Sequence, residues 1–460
     1  MRKIAIIGSG LAGLVCAHGA RRAGHSVTLY SDRTPEAWLS RSRPTGVAAR
    51  FWRAIAHERE LGLNHWEELA PRYMGVQLTL CPVLRNRLLT ATGRFSRYGQ
   101  AVDPRLQSHR WMHDLVDRGG KIEIEDVTVP RLEEIAREHD LTIVSAGKGG
   151  LASLFPRDEA RSVYSKPQRQ LSMFFFKGPS LHREGIPFLA VKFKLLATAG
   201  EVFWTPFHHK DVGPSWALGV EAKPGGPLDR FQSAKSAEEV LAITRTIIKE
   251  LLPWEYDWFK DAEVCDELGW LVGAITPTVR RPVGRLPSGQ VVTSLGDTAI
   301  TYDPIAAQGA NNGNRMARHL VDSIDAHGDG PLDEAWMTET FERFWNQHGR
   351  HAVGLSNLLL EPPSPMTVAY LVAQYGSDGR ADRGDGGQAL ASAFVENLAE
   401  PSTLTPILLD QAKIRSFIRE KMGSFLGSVT KPVPHLLRAQ LRQRLGQDPG
   451  HPIVAGAVAY

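Results

Sequence analysis

The sequence predicts an α/β protein with a mostly parallel sheet, an inserted and mainly β region, and a helical C-terminal region. Its 460 residues fit two or three domains, since one domain takes about 100–200 residues. An apolar β-branched run at residues 3–7, a helical stretch at 14–23 and a second such run at 26–30 follow the order of a parallel strand–helix–strand unit. Aromatic strand-like runs lie between residues 166 and 280, and helical periodicity dominates beyond residue 330.

Composition predicts a globular protein in a reducing compartment. Hydrophobic residues make up 42% and charged residues 23% of the chain, near the globular average. The net charge of +4 is too small to favour nucleic acid or an anionic membrane as a partner. Three cysteines far apart in sequence, Cys16, Cys81 and Cys265, suit a cytoplasmic chain without a disulfide framework or a metal site. We expect neither a signal peptide, since glycines interrupt the apolar start, nor a membrane span.

The loop after the first predicted strand has the pattern of a dinucleotide-binding loop. It reads Gly8, Ser9, Gly10, Leu11, Ala12 and Gly13. The first glycine allows a tight turn, the second lets the backbone approach a pyrophosphate, and the third lets the helix pack on the strand. Asp32 follows the second strand and is placed to accept from a ribose hydroxyl. An acid there opposes a 2′-phosphate, which favours FAD or NAD over NADP, although Arg33 argues weakly the other way. The alternative is a glycine-rich turn in a plain α/β domain.

A second segment, near residue 300, favours FAD over NAD. A predicted strand at residues 290–295 ends at Gly296 and Asp297, and a loop containing Pro304 leads into a helix near Gly309. The Asp297 carboxylate suits ribityl hydroxyls. The helix N-terminus suits negative charge on the pyrimidine edge of a reduced flavin.

Several segments together resemble the oxygenase component of styrene monooxygenases and the related indole monooxygenases. They are residues 8–13, 30–33, 101–106, 145–148, 166–169, 174–178, 296–297, 303–304 and 308–311. The resemblance implies a Rossmann-type FAD domain like that of glutathione reductase and aromatic hydroxylases. It also implies epoxidation or hydroxylation of a small apolar aromatic alkene or indole through a C4a-(hydro)peroxyflavin formed from FADH2 and O2.

One departure from the single-component aromatic hydroxylases indicates where the electrons come from. Those enzymes carry an Asp-Gly pair where this chain has Gly147 and Lys148, and the pair is associated with their use of NAD(P)H. No second glycine fingerprint in strand–turn–helix context is found. We therefore expect a separate flavin reductase to supply FADH2 as partner. A homodimer is left open.

The resemblance also implies site residues. Expected at the reacting centre are Pro304, Ala307, Thr45 and Val47. Expected at the cofactor, beyond residues 8–13, are Asp32, Arg33, Arg41, Arg43, Arg105, Ala146, Gly147, Gly296, Asp297, Pro304, Gln308, Gly309, Ala310 and Asn311. Arg105 has the alternative of a solvated arginine at a helix N-terminus. The family has an Asn near Pro44, so the substrate side departs from the family pattern.

The predicted organisation places a discontinuous FAD domain at residues 1–165 and 281–330, and a substrate-binding sheet domain at 166–280. In a flavin hydroxylase such a sheet roofs the flavin. Residues 331–460 form the helical region, with a glycine-rich flexible loop at 375–388 and a basic amphipathic helix at 435–445. That helix has four open roles: packing on the body, contacting a second subunit, meeting a reductase, or meeting an anionic surface.

Two other functions remain open at this level. One is oxidation of sulfur or nitrogen, or hydroxylation, in a larger natural-product intermediate. The other is a flavoprotein that is not an oxygenase.

Overall fold

A computed structural model of the chain describes residues 1–146, 150–182, 186–380 and 386–447. The chain divides into two compact units, each made of three segments. The first unit comprises Met1–Glu68, Val102–Pro167 and Ile275–Val353. The second comprises Leu69–Ala101, Gln168–Ala274 and Gly354–Tyr460.

The strands, in chain order, are β1 (Lys3–Ile7), β2 (Ser26–Ser31), β3 (Ala49–Arg50), β4 (Tyr73–Cys81), β5 (Leu89–Ala101), β6 (Lys121–Ile124), β7 (Leu141–Val144), β8 (Gln170–Lys177), β9 (Ala190–Leu196), β10 (Gly200–His209), β11 (Gly213–Ala222), β12 (Glu263–Val264), β13 (Trp270–Ala274), β14 (Thr278–Val279), β15 (Val283–Arg285), β16 (Val291–Ser294) and β17 (Ile300–Thr301).

The α-helices are α1 (Leu11–Arg22), α2 (Pro35–Ser40), α3 (Trp52–Glu60), α4 (Pro104–Asp117), α5 (Val129–Glu138), α6 (Ala237–Leu251), α7 (Pro253–Phe259), α8 (Gln308–His327), α9 (Glu334–Phe344), α10 (Arg350–Leu360), α11 (Pro365–Ala373), α12 (Gly386–Ala399), α13 (Pro401–Leu408), α14 (Gln411–Met422), α15 (Phe425–Thr430) and α16 (Val433–Arg444).

The first unit is built on a six-stranded sheet in the order β15-β16-β7-β1-β2-β6. Strand β1 pairs in parallel with both β2 and β7, and β16 pairs in parallel with β7. The residues of β1 from Ile4 to Ile7 are buried, as expected for a parallel strand covered on both faces. Ala5 and Ile7 pack with Leu132 and Ile135 of α5. This confirms the predicted α/β class and its Rossmann-like domain.

The second unit contains a mixed sheet in the order β12-β8-β11-β10-β9-β4-β5, in which β13 also pairs with β8. Only β4 and β9 pair in parallel among these strands of the described chain. Phe174 and Phe176 of β8, with Trp204 of β10 and Trp216 of β11, pack in one core with α6 and α7. Successive side chains of a strand point to opposite faces of the sheet, and these aromatic residues lie on the face that packs into the core.

The C-terminal helices pack around Tyr370 of α11, Leu390 of α12, Leu404 of α13 and Ile414 of α14. The predicted loop at 375–388 is only partly described: residues 381–385 lie outside the described residues, and α12 already begins at Gly386. None of the described helices combines the length and the apolar character that crossing a lipid bilayer requires.

Helix α16 corresponds to the predicted basic amphipathic helix and packs within the second unit. It buries Leu436 and Ala439, and the Gln443 amide donates to the Arg87 carbonyl at 2.8 Å. Its other leucines, Leu437, Leu441 and Leu445, are 65%, 59% and 66% exposed. The apolar side of the helix is thus buried only in part: Leu436 and Ala439 are buried, and Gln443 is half-buried.

The unit boundaries differ from the domain boundaries expected from the sequence. Residues 69–101, which the sequence placed in the FAD domain, form β4 and β5 of the second unit's sheet. Residues 331–353 lie in the first unit. Strand pairing explains the first difference. Seven residues of β4 pair with seven residues of β9, which lie more than a hundred positions later in the chain.

Candidate cofactor and active site

Three loops of the first unit leave the sheet at the same edge. Strands β16, β7 and β1 are neighbours and run in parallel, so the loops after Ser294, Val144 and Ile7 begin side by side. In open α/β sheets, ligands bind in the crevice outside the carboxyl ends of the strands. The edge therefore brings the glycine loop next to the segment near residue 300.

The three glycines of the first loop have different surroundings. Gly8 has a φ of 116°, and a Cβ there would lie 2.8 Å from the Ser145 carbonyl oxygen. A Cβ on Gly13 would lie 2.1 Å from the Gly8 carbonyl oxygen, which shows how closely α1 returns to the strand end. A Cβ on Gly10 would meet nothing within 4 Å among the described residues. Gly10 therefore borders open space at the start of α1.

The segment near residue 300 packs directly on this loop. A Cβ on Gly296 would lie 3.0 Å from the Ala12 Cβ, and a Cβ on Gly313 of α8 would lie 3.1 Å from the same atom. The Asp297 Oδ1 lies 3.8 Å from the Cβ position of Gly309, in the first turn of α8. The two predicted cofactor segments, almost 300 residues apart in sequence, thus form one surface.

Both helices that begin at this surface lack a side-chain cap in the described structure. Gly10 precedes α1 and Ala307 precedes α8, and neither makes a capping side-chain hydrogen bond. Ala307 has a φ of 52°, a strained conformation for a residue other than glycine. First-turn amides at two uncapped helix N-termini suit anionic groups such as a pyrophosphate or a flavin pyrimidine edge.

Buried hydroxyls in the same segment test whether a flavin dinucleotide fits. Among the described residues, the Tyr302 Oη and the Thr298 Oγ1 are buried without a hydrogen-bond partner. Burial raises the pKa of the Tyr302 phenol, so it stays protonated and remains a donor. Buried polar groups are normally paired. The open space at Gly10, the uncapped helices and these hydroxyls fit a cofactor with both phosphates and polar ring edges.

The end of β2 leads into Asp32, the residue expected at the ribose of the cofactor. Asp32 is exposed, and the Arg33 Nε donates to its Oδ1 at 2.9 Å. That hydrogen bond raises the pKa of Arg33. The Ser9 Oγ is held by the Ser31 hydroxyl at 2.6 Å and by the Trp38 indole N–H at 3.1 Å. The Ser9 hydroxyl thus links the glycine loop to β2 and α2, a role that sequence reasoning did not foresee.

The predicted arginines occupy different environments. Arg41 and Arg43 are exposed after α2. Arg105 is fully buried, and its guanidinium donates to both carboxylate oxygens of Asp103, at 3.0 and 2.7 Å. Arg105 is therefore no solvated arginine at the start of α4.

The segment with Thr45 and Val47 is tied to α8 by one side chain. The Asn311 amide donates to the Ala49 carbonyl at 2.9 Å and to the Ala307 carbonyl at 2.7 Å. Its Oδ1 accepts from the Phe51 N–H at 2.9 Å. The Asn311 side chain therefore positions the chain around β3 against the start of α8.

A buried ion pair anchors the same segment and was missed from the sequence. The Arg50 Nε lies 3.1 Å from the Glu58 Oε1, and Arg50 also donates to the Ala48 carbonyl at 2.9 Å. Both side chains are almost fully buried. The only sequence signal was the charge spacing between positions 50 and 58.

The remaining predicted residues differ in their exposure, and one of them lies outside the described residues. Pro304, Ala307, Gly309, Ala310 and Ala146 are half-buried. Gln308 is buried, and its amide donates to the Ala306 carbonyl at 2.7 Å. Thr45 is exposed and Val47 half-buried. Gly147 lies outside the described residues.

Comparisons with known proteins agree with this geometry. Residues 147–258 match a family model described as "Styrene monooxygenase A putative substrate binding domain". Residues 6–46 match a model described as "NAD(P)-binding Rossmann-like domain". The chain is 29% identical to styrene monooxygenase StyA from Pseudomonas fluorescens, over 80% of this chain and 88% of that protein. It is 28% identical to a second StyA, from a Pseudomonas species, over 71% and 78%.

Solved structures show the same fold at low sequence identity. The flavin-dependent brominase Bmp2 aligns with a TM-score of 0.60 and 15% identity, over 91% of this chain and 98% of that chain. The flavin-dependent halogenase CmlS aligns with a TM-score of 0.58 and 14% identity, over 94% and 78%.

The paired helix N-termini, the glycine loop and these similarities define a flavin-dependent monooxygenase whose cofactor is FAD. Within that class, the chain is similar to styrene monooxygenases over most of its length. The resemblance inferred from the sequence is thereby confirmed.

Proposed function

We propose that the protein oxygenates a small apolar aromatic alkene or an indole, using O2 and FADH2 supplied by a separate flavin reductase. The observation that carries this proposal is the joining of the glycine loop and the Gly296–Thr298 turn at one sheet edge. The similarity to styrene monooxygenases over most of the chain supports the reaction class.

The chain's own groups would hold the cofactor as follows. First-turn amides of α1, beside Gly10, would bind the pyrophosphate. The Asp297 carboxylate would accept from ribityl hydroxyls, and first-turn amides of α8 would face the pyrimidine edge. When bound, FAD supplies the redox chemistry. Two electrons and two protons from FADH2 reduce one atom of O2 to water, and the other atom enters the substrate.

The residues that follow β7 in the sequence favour an external source of electrons. Gly147 and Lys148 stand where NAD(P)H-using aromatic hydroxylases carry Asp-Gly. The similarity to the StyA proteins supports the same division of labour between an oxygenase and a reductase.

The second unit supports an apolar aromatic substrate. The family match at residues 147–258 covers β8 to β11. On the sheet face opposite Trp204, the half-buried rings of Phe193 and Phe203 lie nearly parallel, with centroids 6.3 Å apart. A Cβ on Gly219 would lie 2.2 Å from the Phe203 ring. The glycine thus makes room for an aromatic surface suited to a planar apolar ligand.

The decisive experiment reconstitutes turnover from defined parts. Purified FAD-loaded protein is mixed with NADH, an unrelated NADH-dependent flavin reductase, ¹⁸O2 and styrene, and the product is analysed by mass spectrometry. We expect styrene oxide carrying one ¹⁸O, and no product when the reductase is omitted. Turnover with NADH alone would refute the external supply of FADH2. Complete conversion of O2 to hydrogen peroxide, without product, would refute the oxygenase proposal.

A second candidate, oxidation at sulfur, is favoured by the segment that departs from the family. Pro44 stands where the family carries an Asn, and the following turn contains Gly46 at φ 155° and Ala48 at φ 50°. The same reconstituted assay with equal concentrations of styrene and methyl phenyl sulfide separates the two. Preferred formation of styrene oxide supports the first proposal, and preferred formation of the sulfoxide supports the second.

A further inference from the structure

We propose that Glu36, His109 and His113 form a binding site for a divalent transition metal of the Zn²⁺ type on the first unit. The nitrogen and oxygen ligand atoms of these three side chains all lie within 4.8 Å of one another. The inference concerns residues that the proposed function does not use, and it stands independently of that function.

Helix α4 supplies two of the ligands because of their spacing. His109 and His113 are four residues apart, which places both imidazoles on one helical face. Their ring centroids are 4.8 Å apart. Trp111, Met112 and Leu115 are among the buried residues of the helix, whereas His109 and His113 are not. The histidine pair therefore does not serve the core, and its rings are open to an ion.

Helix α2 supplies the third ligand. Glu36 lies in the first turn of α2, and its Oε1 is 3.3 Å from the His113 Nε2. In a tetrahedral Zn²⁺ site with bonds of about 2.0–2.1 Å, neighbouring ligand atoms lie about 3.3 Å apart. The Glu36–His113 distance already matches this value. Since Glu36 and His113 are 66% and 48% exposed, small side-chain rotations can bring His109 to the same separation.

Neighbouring charges leave the site suited to a cation. Arg110 lies between the two histidines in sequence, but its Nε is engaged by the Asp114 carboxylate at 2.9 Å. The Glu36 carboxylate lies within 4.8 Å of the ligand atoms of both histidines and is the acidic member of the group.

The donor set selects the class of metal. Two imidazoles and one carboxylate suit Zn²⁺ and its neighbours in the transition series, whereas Mg²⁺ and Ca²⁺ prefer oxygen ligands. Three protein ligands leave the fourth position to water. A bound ion would cross-link α2 with α4. Helix α2 follows Asp32 directly, so the ion would stabilise the ribose side of the cofactor site.

A second group of ligand atoms in the described structure is a weaker candidate. It consists of His209, Asp211 and Asp266 in the second unit. The His209 Nε2 is hydrogen-bonded to Asp266 at 2.5 Å, and its Nδ1 accepts from the Asp211 N–H at 3.1 Å. Both ring nitrogens of His209 are therefore already engaged.

The test uses the full-length, FAD-loaded protein without a histidine tag, titrated with Zn²⁺ by isothermal calorimetry. Two variants, His113→Ala and Glu36→Gln, each remove one ligand at an exposed position. The matched control is His435→Ala, which removes another exposed histidine. We expect one Zn²⁺ per chain in the wild type and the control, and at least about tenfold weaker binding in His113→Ala.

Thermal unfolding measures whether Zn²⁺ bound between α2 and α4 stabilises the protein. Zn²⁺ should raise the Tm of the wild type and of His435→Ala by about 2 °C or more, and should leave that of His113→Ala unchanged. The proposal is overturned if the wild type binds no Zn²⁺ in calorimetry. It is equally overturned if His113→Ala keeps the wild-type affinity, since the ion then binds elsewhere.

Discussion

At the scale of single residues, two glycines of the same loop differ in what surrounds their Cβ positions. Gly13 is required by packing, because a Cβ there would lie 2.1 Å from the Gly8 carbonyl oxygen. Gly10 has open space around its Cβ position. The polypeptide itself therefore tolerates a side chain at position 10, and only a ligand makes glycine necessary there.

This difference predicts opposite outcomes for two alanine substitutions. Gly10→Ala should fold with an unchanged apoprotein Tm but bind FAD at least about tenfold more weakly, because the methyl group occupies the path of the pyrophosphate. Gly13→Ala should lower the apoprotein Tm, since the backbone must move. Thermal unfolding of the apoproteins and FAD titration by flavin fluorescence check both. Wild-type FAD affinity in Gly10→Ala would contradict the assignment of the pyrophosphate.

Asp297 provides the second prediction at this scale. Its carboxylate lies beside the first turn of α8, where it is placed to accept from ribityl hydroxyls. Asp297→Ala should weaken FAD binding by about 1–3 kcal/mol, the cost of losing hydrogen bonds to a charged acceptor. The matched control is Asp322→Ala, since Asp322 is an exposed acid of α8 that pairs only loosely with Arg318 at 3.8 Å. Equal FAD affinities of the two variants would contradict the prediction.

At the scale of elements, the packing of α1 on α4 places a histidine in a neutral state. The His18 Nε2 is 2.9 Å from the Trp111 carbonyl oxygen, and its Nδ1 accepts from the Arg118 guanidinium at 3.1 Å. An arginine donating to Nδ1 leaves the proton on Nε2. Burial, partly opposed by the bond to Trp111, lowers the pKa of His18 to about 4.

The depressed pKa predicts that stability falls with acidification. At pH values between the ordinary histidine pKa of about 6.5 and the folded value of about 4, the His18 imidazole is protonated in the unfolded chain but not in the folded chain. His18 should therefore remove about 2 kcal/mol of the free energy of unfolding between pH 7 and pH 5. Urea unfolding at both pH values measures this difference. It should shrink in His18→Gln and stay unchanged in His435→Gln, where an exposed histidine is replaced.

The ends and the buried faces of helices could be predicted only approximately from the periodicity of apolar residues. The helix expected at residues 14–23 runs from Leu11 to Arg22, because the turn made by Gly8 and Gly10 places residue 11 already in helical conformation. The basic helix was recognised, but the face it buries was not. Leu436 and Leu437 are equally apolar, but only Leu436 is buried.

At the scale of the whole molecule, the second unit holds a cluster of buried charges that no sequence pattern indicated. Lys192 and Lys194 of β9 both contact Glu255 of α7, and all three side chains are 2% exposed. The Lys194 Nζ also donates to the Thr79 hydroxyl at 2.8 Å. The Lys192 Nζ lies 3.9 Å from the centroid of the Trp258 ring. The Glu255 carboxylate thus contacts two buried ammonium groups.

Removal of that carboxylate should destabilise the protein strongly. Glu255→Gln removes the carboxylate that both buried ammonium groups contact, and breaking a buried ion pair costs about 3–5 kcal/mol. Glu250→Gln is the matched control, because Glu250 pairs with Arg230 at the surface, where a pair is worth at most about 1 kcal/mol. Urea unfolding followed by circular dichroism compares the two. Similar losses of unfolding free energy in both variants would show that the buried ion pairs of Glu255 stabilise the protein no more than a surface pair does.

Local sequence was sufficient for features that depend on a few adjacent residues. The glycine loop, the acid after β2, the class of fold and the FAD cofactor could all be predicted, because turns, strand periodicity and helix N-termini impose short-range requirements. The family resemblance, carried by short segments throughout the chain, added the enzyme class.

Only the tertiary structure decided what depends on partners distant in the chain. It placed residues 69–101 in the second unit's sheet, bridged β3 to α8 through Asn311, and brought Glu36 to the histidines of α4. Strand pairing, buried ion pairs and shared ligand sites are set by three-dimensional proximity, and the free energy of a buried charge depends on which group faces it. No local pattern encodes those neighbours.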